Sequence, residues 1–150
     1  MVHLYKVSAK PQLKVTFSED GKTEATFNVA KDKPNNKSLG LWVANTGNAV
    51  AKTFQIDIMV PEILTPQNIN TIKVSKLSPA GDTRTYSVYN YGETVLFVNK
   101  PVMVPDLYLP LEVNPANYDK LKEIETVKYR IYGDWADTQE GELKVNINKQ

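Results

Sequence analysis

Apolar and polar positions alternate with a period of two through most of this chain, the repeat of strands that bury one face and wet the other. Leu13, Val15 and Phe17 alternate with Lys14 and Thr16, and Ala25, Phe27 and Val29 alternate with Glu24, Thr26 and Asn28. The Glu19-Asp20-Gly21-Lys22 turn between them predicts a first hairpin. Phe54, Ile56, Ile58 and Val60 then alternate with Gln55, Asp57 and Met59 as far as Pro61, which cannot donate to a ladder and ends the strand. Further on, Val127, Tyr129 and Ile131 alternate with Lys128, Arg130 and Tyr132, and Leu143, Val145 and Ile147 with Lys144 and Asn146. These predict a closing hairpin whose loop, residues 133–141, is long for its kind.

Residues 39–61 hold the densest apolar run. Their first strand carries Leu39, Leu41 and Val43 on one face and Gly40, Trp42 and Ala44 on the other, so both faces call for cover and Trp42 is expected in the core, with a ligand-facing anchor as the alternative. Asn45-Thr46-Gly47-Asn48 tolerates positive φ, which predicts a reversal pairing this strand with the next as a hairpin on which the rest packs. Weaker patterns predict a strand over 71–75, a turn at 78–82, and two strands, 83–90 and 93–99, joined through Tyr91-Gly92. Prolines at 101, 105, 110 and 115 confine the segment from Lys100 to edge strands or an extended wrap over the Trp42 strand. Asn114-Pro115 has the form of a cap and a first-turn proline, and with Tyr118, Leu121 and Ile124 it predicts a helix of a turn or two. The expected fold is all-β, an antiparallel sandwich with at most one short helix. Residues 1–10 read as an N-terminal arm and 11–150 as a single sandwich domain.

The run Val43-Ala44-Asn45-Thr46-Gly47-Asn48-Ala49, followed by Ile56-Asp57-Ile58-Met59-Val60-Pro61, resembles a pattern of CARDB-like and related bacterial immunoglobulin-like domains: strand, Asn-x-Gly, small residue, strand, proline. The resemblance implies an immunoglobulin-like sandwich and a non-catalytic module of a larger surface or multidomain polypeptide. It carries no functional residue across. The chain departs from antibody-type domains, since it has no cysteine for their inter-sheet bridge.

A chain of 150 residues is expected to fold as one domain, burying about 68–70% of its unfolded surface without disulfide or metal. Eighteen Lys and Arg against 17 Asp and Glu leave a net charge of +1, so no overall field draws in nucleic acid or anionic membrane. No run approaches the ~20 apolar residues of a spanning helix, and the opening MVHLYKVSAK has no signal-peptide apolar core. Membrane insertion is not expected, and the location is cytoplasmic or that of a domain excised from a surface protein. The sequon Asn36-Lys37-Ser38 reads as coincidence in a polar loop.

The only histidine is His3 and there is no cysteine, so neither a Ser-His-Asp nor a Cys-His constellation can be assembled, and His/Cys zinc sites are excluded. Phosphate-cradling glycine loops and a G-x-S-x-G elbow are missing as well. A carboxylate-pair glycosidase survives formally, but nothing singles out a pair. The expectation is a non-enzyme with no cofactor.

Three features carry candidate chemistry. Asp134, Asp137, Glu140 and Glu142 surround the last loop with oxygen donors but lack EF-hand spacing. Tyr86, Tyr89, Tyr91, Tyr129, Tyr132 and Trp135 read as core and cross-strand packing, with a sugar-stacking platform as the alternative. In the closing loop, Trp135 keeps the parity of Val127, Tyr129 and Ile131 and is expected to cap the core, leaving Asp134, Asp137 and Glu140 to meet a basic partner. Asp134, Trp135, Asp137 and Glu140 are thus the candidate binding residues. The expected function is a protein-interaction or structural module, acting on a protein partner or neighbouring domain and part of a larger bacterial or phage polypeptide. The alternative is a carbohydrate- or small-ligand-binding sandwich.

Overall fold

The computed structural model describes residues 9–31, 40–64, 74–76, 83–103 and 115–150. In chain order their strands are β1 (Leu13–Thr16), β2 (Glu24–Val29), β3 (Trp42–Asn45), β4 (Ala51–Pro61), β5 (Val74–Lys76), β6 (Thr83–Leu96), β7 (Val102–Met103), β8 (Ile124–Gly133) and β9 (Gln139–Lys149). They form a three-stranded sheet ordered β1-β3-β7 and a six-stranded sheet ordered β2-β9-β8-β4-β6-β5. The fold is all-β. The sheets share one apolar core, to which Leu13, Val15 and Val43 contribute from the smaller sheet and Phe27, Phe54, Ile56, Ile58, Tyr86, Val127, Leu143 and Val145 from the larger.

The closing hairpin forms as the alternation predicts. β8 and β9 pair antiparallel from Ile124 opposite Asn146 to Ile131 opposite Gln139, with Val127, Tyr129 and Ile131 buried on one strand and Leu143, Val145 and Ile147 on the other. Tyr129 covers its partner Gly141, where an added Cβ would meet the ring at 2.4 Å. β4 likewise buries Phe54, Ile56, Ile58 and Val60 and ends at Pro61. Ala51 is buried too, although it has the opposite parity, because the ladder with β6 shifts register between Ala51 and Thr53.

Both other predicted hairpins are replaced by crossings between sheets. β1 pairs antiparallel with β3, whereas β2 lies parallel to β9, with Glu24 opposite Lys144 and Val29 opposite Lys149. The turn between them is closed by Phe17 N donating to Lys22 O at 2.7 Å, with Gly21 at φ 86°, and it moves the chain from one sheet to the other. In the same way β3 pairs with β1 and β7 but not with β4. The antiparallel arrangement expected holds for every ladder described except β2 with β9, which makes the larger sheet mixed.

Asn45 and Gly47 serve this second crossing, and neither has the positive φ of the predicted reversal. Asn45 is fully buried. Its Oδ1 accepts from Gln12 N at 3.1 Å and Gly47 N at 3.0 Å, and its Nδ2 donates to Ala49 O at 2.6 Å and Leu96 O at 3.1 Å. Gly47 lets the N-terminal segment pass, since a Cβ there would stand 2.2 Å from Lys10 O. Lys10 is itself held, donating from its N to Asn48 Oδ1 at 2.8 Å. Val43 and Ala44 on β3 and Leu41 just before it are buried, but Trp42 is only half-buried rather than the core tryptophan expected.

Thr83–Leu96 is one strand of 14 residues, not two. From the pair Thr53–Tyr91 to the pair Ala51–Leu96, β4 advances two residues and β6 five, so the predicted Tyr91-Gly92 turn is an irregularity inside a single strand. β7 lies at the edge of the small sheet, Met103 opposite Trp42, as the prolines around it require. The helix candidate is a 3₁₀ segment, Pro115–Lys120, and a second 3₁₀ turn at Glu62–Leu64 was not foreseen. The turn at 78–82, the sequon, residues 71–73 and the proline-rich stretch 104–114 lie outside the described residues. Among those described, no helix is long and apolar enough to cross a membrane.

Candidate recognition site

β8 runs to Gly133 and β9 starts at Gln139. The loop is thus residues 134–138, within the ordinary two to five of a hairpin, and not the long loop expected. Its geometry is more informative. Asp134 N donates to Thr53 O on β4 at 3.1 Å, and Ala136 N donates to Gly133 O at 3.2 Å, closing a tight turn. Trp135 occupies the third position of that turn with φ 62°, a conformation that turns ordinarily assign to glycine or asparagine. The turn carries the indole off the strand's parity, and it is 89% exposed.

Trp135 therefore does not cap the core. Leu13 and Ala136 lie over Gly133 instead: a Cβ there would meet Leu13 Cδ1 at 2.8 Å and Ala136 Cβ at 3.4 Å. The three acids separate. Asp137 faces Lys10 Nζ at 3.5 Å, both well exposed. Glu140 pairs with Arg130, whose Nε donates to it at 2.8 Å. Hydrogen bonding with Tyr132, and then with Glu140, holds the Arg130 guanidinium above its ordinary pKa. Among the described residues no three acids converge as metal ligands would.

A polar network that sequence reasoning missed crosses the outer face of the larger sheet. Asp57 Oδ1 accepts from Ser87 Oγ at 2.7 Å and Gln55 Nε2 at 2.9 Å, and the Tyr132 hydroxyl donates to Oδ2 at 3.2 Å. The ladders align the row: Arg130 is opposite Asp57, Asp57 opposite Ser87, and Ser87 opposite Ser75. The signal was present in the alternation, since Gln55 and Asp57 are outward positions of β4, but three different strands had to be placed before the residues met. Tyr86 and Tyr129 are buried, which removes them from any sugar platform; Tyr89 and Tyr91 lie on β6, and their side chains are outside the description. Two surface hollows share Asn146, one beside Leu121 and Ile124 and the other beside Glu24 and Thr26.

The chain matches no protein-family model and no curated protein sequence.

Proposed function

We propose that this chain is a non-catalytic protein-binding module of immunoglobulin-like sandwich type, recognising its partner through the β8–β9 loop. The observation that carries the reading is Trp135: a large aromatic held 89% exposed at positive φ. Such a residue contributes nothing to the core and costs backbone energy, and outliers of this kind cluster at ligand-contacting positions. Tryptophan is also the side chain most enriched among binding hot spots. Asp134 and Asp137, in the same loop, then supply polar neighbours to the indole, while Glu140 is held by Arg130 on the adjoining strands.

The strand order supports the fold half of the reading. The neighbours β9-β8-β4-β6 and β1-β3-β7 correspond to the G-F-C-C′ and A-B-E groupings of immunoglobulin sandwiches, and β8–β9 then stands where the F–G hairpin does. In variable domains that hairpin carries a recognition loop, an analogy of fold rather than of residues. The test is capture of partners by the full chain, with each partner titrated against the parent and Trp135→Ala. A loss of at least tenfold with unchanged melting is expected, and equal affinities would refute the reading.

A second reading, a polyol or carbohydrate site, is favoured by the partly exposed Asp57, Gln55 and Tyr132, whose groups are those that engage sugar hydroxyls. Screening oligosaccharides by chemical-shift perturbation, with Asp57→Asn as control, tests it. Shifts confined to β4, β6 and β8 and lost in the variant are the expected result, and no shifts at millimolar sugar would dismiss it.

A further inference from the structure

Three of the four large apolar side chains exposed among the described residues stand at one end of the six-stranded sheet: Val50 (42%), Phe97 (54%) and Trp135 (89%). They belong to separate chain segments that neighbouring strands bring together. β4 lies between β8 and β6, Ala51 pairs with Leu96, and Phe54 pairs with Gly133. Val50 therefore enters β4 where Phe97 leaves β6, and Trp135 stands two residues past the end of β8.

Each of the three follows directly on a residue tied to the framework. Ala49 O and Leu96 O both accept from Asn45 Nδ2, at 2.6 and 3.1 Å, and Asp134 N donates to Thr53 O at 3.1 Å. The two non-glycine residues with positive φ among the described residues, Asn99 at 58° and Trp135 at 62°, are at this end as well. Asn99 is pinned by its N donating to Asn45 O at 2.8 Å.

We propose that Val50, Phe97 and Trp135 form one preorganised recognition tip, and that its occupant is a protein presenting a concave apolar pocket to the Trp135 indole. This rests on the protein-binding reading above and adds two further segments and the shape of the partner. Scaled by their exposures, the three side chains present roughly 400 Å², the size at which an apolar patch on a monomer is often functional. That is about half of the ~800 Å² each partner contributes to a standard interface. Two tips meeting through these side chains alone stay below that size, so a second copy of this chain is a poor occupant. A pocket that wraps the indole also takes in the flanks of the loop and reaches interface size with the same anchors. The tethered roots lower the ordering cost of binding, which lets a small anchor suffice.

Lys100 brings a cation over the Phe97 ring, 6.0 Å from its centroid, beside the ion pairs Lys10–Asp137 and Arg130–Glu140, so a lipid surface is the alternative occupant that the vesicle arm of the experiment decides.

The experiment uses the full chain and a naive antibody-fragment library, whose paired variable domains form pockets. The most enriched fragments are titrated against the parent, Trp135→Ala, Phe97→Ser, Val50→Ser and, as a distant control, Asn148→Ala, all checked for unchanged melting. Most fragments are expected to lose at least ~30-fold with Trp135→Ala, the hot-spot threshold, several-fold with each of the other two tip variants, and nothing with the control. Loss at Trp135 alone would overturn the composite tip while leaving the protein-binding reading intact, and fragments indifferent to all three would sink both. Sedimentation equilibrium and flotation with phosphatidylcholine/phosphatidylserine vesicles complete the test. Dimerisation or vesicle binding that disappears in Trp135→Ala would replace the proposed occupant with a second copy or a lipid surface.

Discussion

Replacing Trp135 by glycine is expected to make the protein more stable than replacing it by alanine, the reverse of what the two residues do at an ordinary position. At negative φ, glycine is the worse choice by about 0.4–1 kcal/mol, because the unfolded chain gains freedom. At Trp135 the backbone has φ 62°, where any residue with a Cβ meets its following carbonyl at a cost of about 1–2 kcal/mol. Alanine keeps that cost and glycine removes it, so glycine should lead by roughly 0.5–1 kcal/mol after its unfolded-state disadvantage is subtracted. The indole adds little to either comparison, since at 89% exposure it has almost no packing to lose. Trp135→Ala should therefore lie within about 0.5 kcal/mol of the parent. In a domain of this size the glycine variant should melt about 1–4 °C above the alanine variant by scanning calorimetry. Urea midpoints at constant slope provide an independent check. A glycine variant less stable than the alanine one would refute the backbone assignment. A loss beyond 1 kcal/mol in Trp135→Ala would mean that the indole packs.

Asn45→Ala leaves four backbone groups without their partner and should cost about 3 kcal/mol or more by urea denaturation; a loss under 1 kcal/mol would show that water replaces the side chain. Asn45→Asp retains the two acceptor bonds but forfeits both donor bonds and buries a charge, so it should not rescue the alanine loss. Gly47→Ala should destabilise by at least ~1–2 kcal/mol, because the clash at 2.2 Å is with the Lys10 backbone oxygen rather than a movable side chain; a melting temperature equal to the parent's would mean that residues 10–12 yield freely. Asp57→Ala strips the acceptor from the buried Ser87 hydroxyl and should cost about 1–2 kcal/mol, most of it recovered in the double variant with Ser87→Ala. Additive losses in that cycle would show that the two side chains are not coupled.

Which residues face the core was legible in the alternation; which strand lies beside which was not. Leu13, Val15, Phe27 and Val29 are all buried, as a period of two requires, yet β1 and β2 go to different sheets. Alternation records one buried face and says nothing of the hydrogen-bonding edge, so a short polar turn between two strands reads as a hairpin even where it carries the chain across the core. The same limit applied at Asn45-Thr46-Gly47-Asn48. Those residues were chosen for a buried amide and a close backbone approach, chemistry that shares its residue types with tight turns. At Tyr91-Gly92 the glycine signal was real but marked an irregular ladder, the other use of a glycine within a strand.

The recognition tip was half legible for a related reason. Parity assigned Trp135 to the core on the premise that β8 continues, but the bond from Ala136 N to Gly133 O ends the strand first, and one residue of turn is enough to reverse a side chain. Val50 and Phe97 gave no signal at all, because each is an isolated apolar residue at a strand end, and single exposed hydrophobics are normal. Only the ladder between β4 and β6 makes them neighbours. Their common support is Asn45, whose amide holds the residue before each of them, so the side chain that closes the sheet crossing also sets the floor of the tip. Stability and recognition then respond differently to substitution. Below the tip, loss of a hydrogen bond should lower both together. At Trp135, relief of the backbone should raise stability while removing the anchor, the opposition expected where strain is retained for binding.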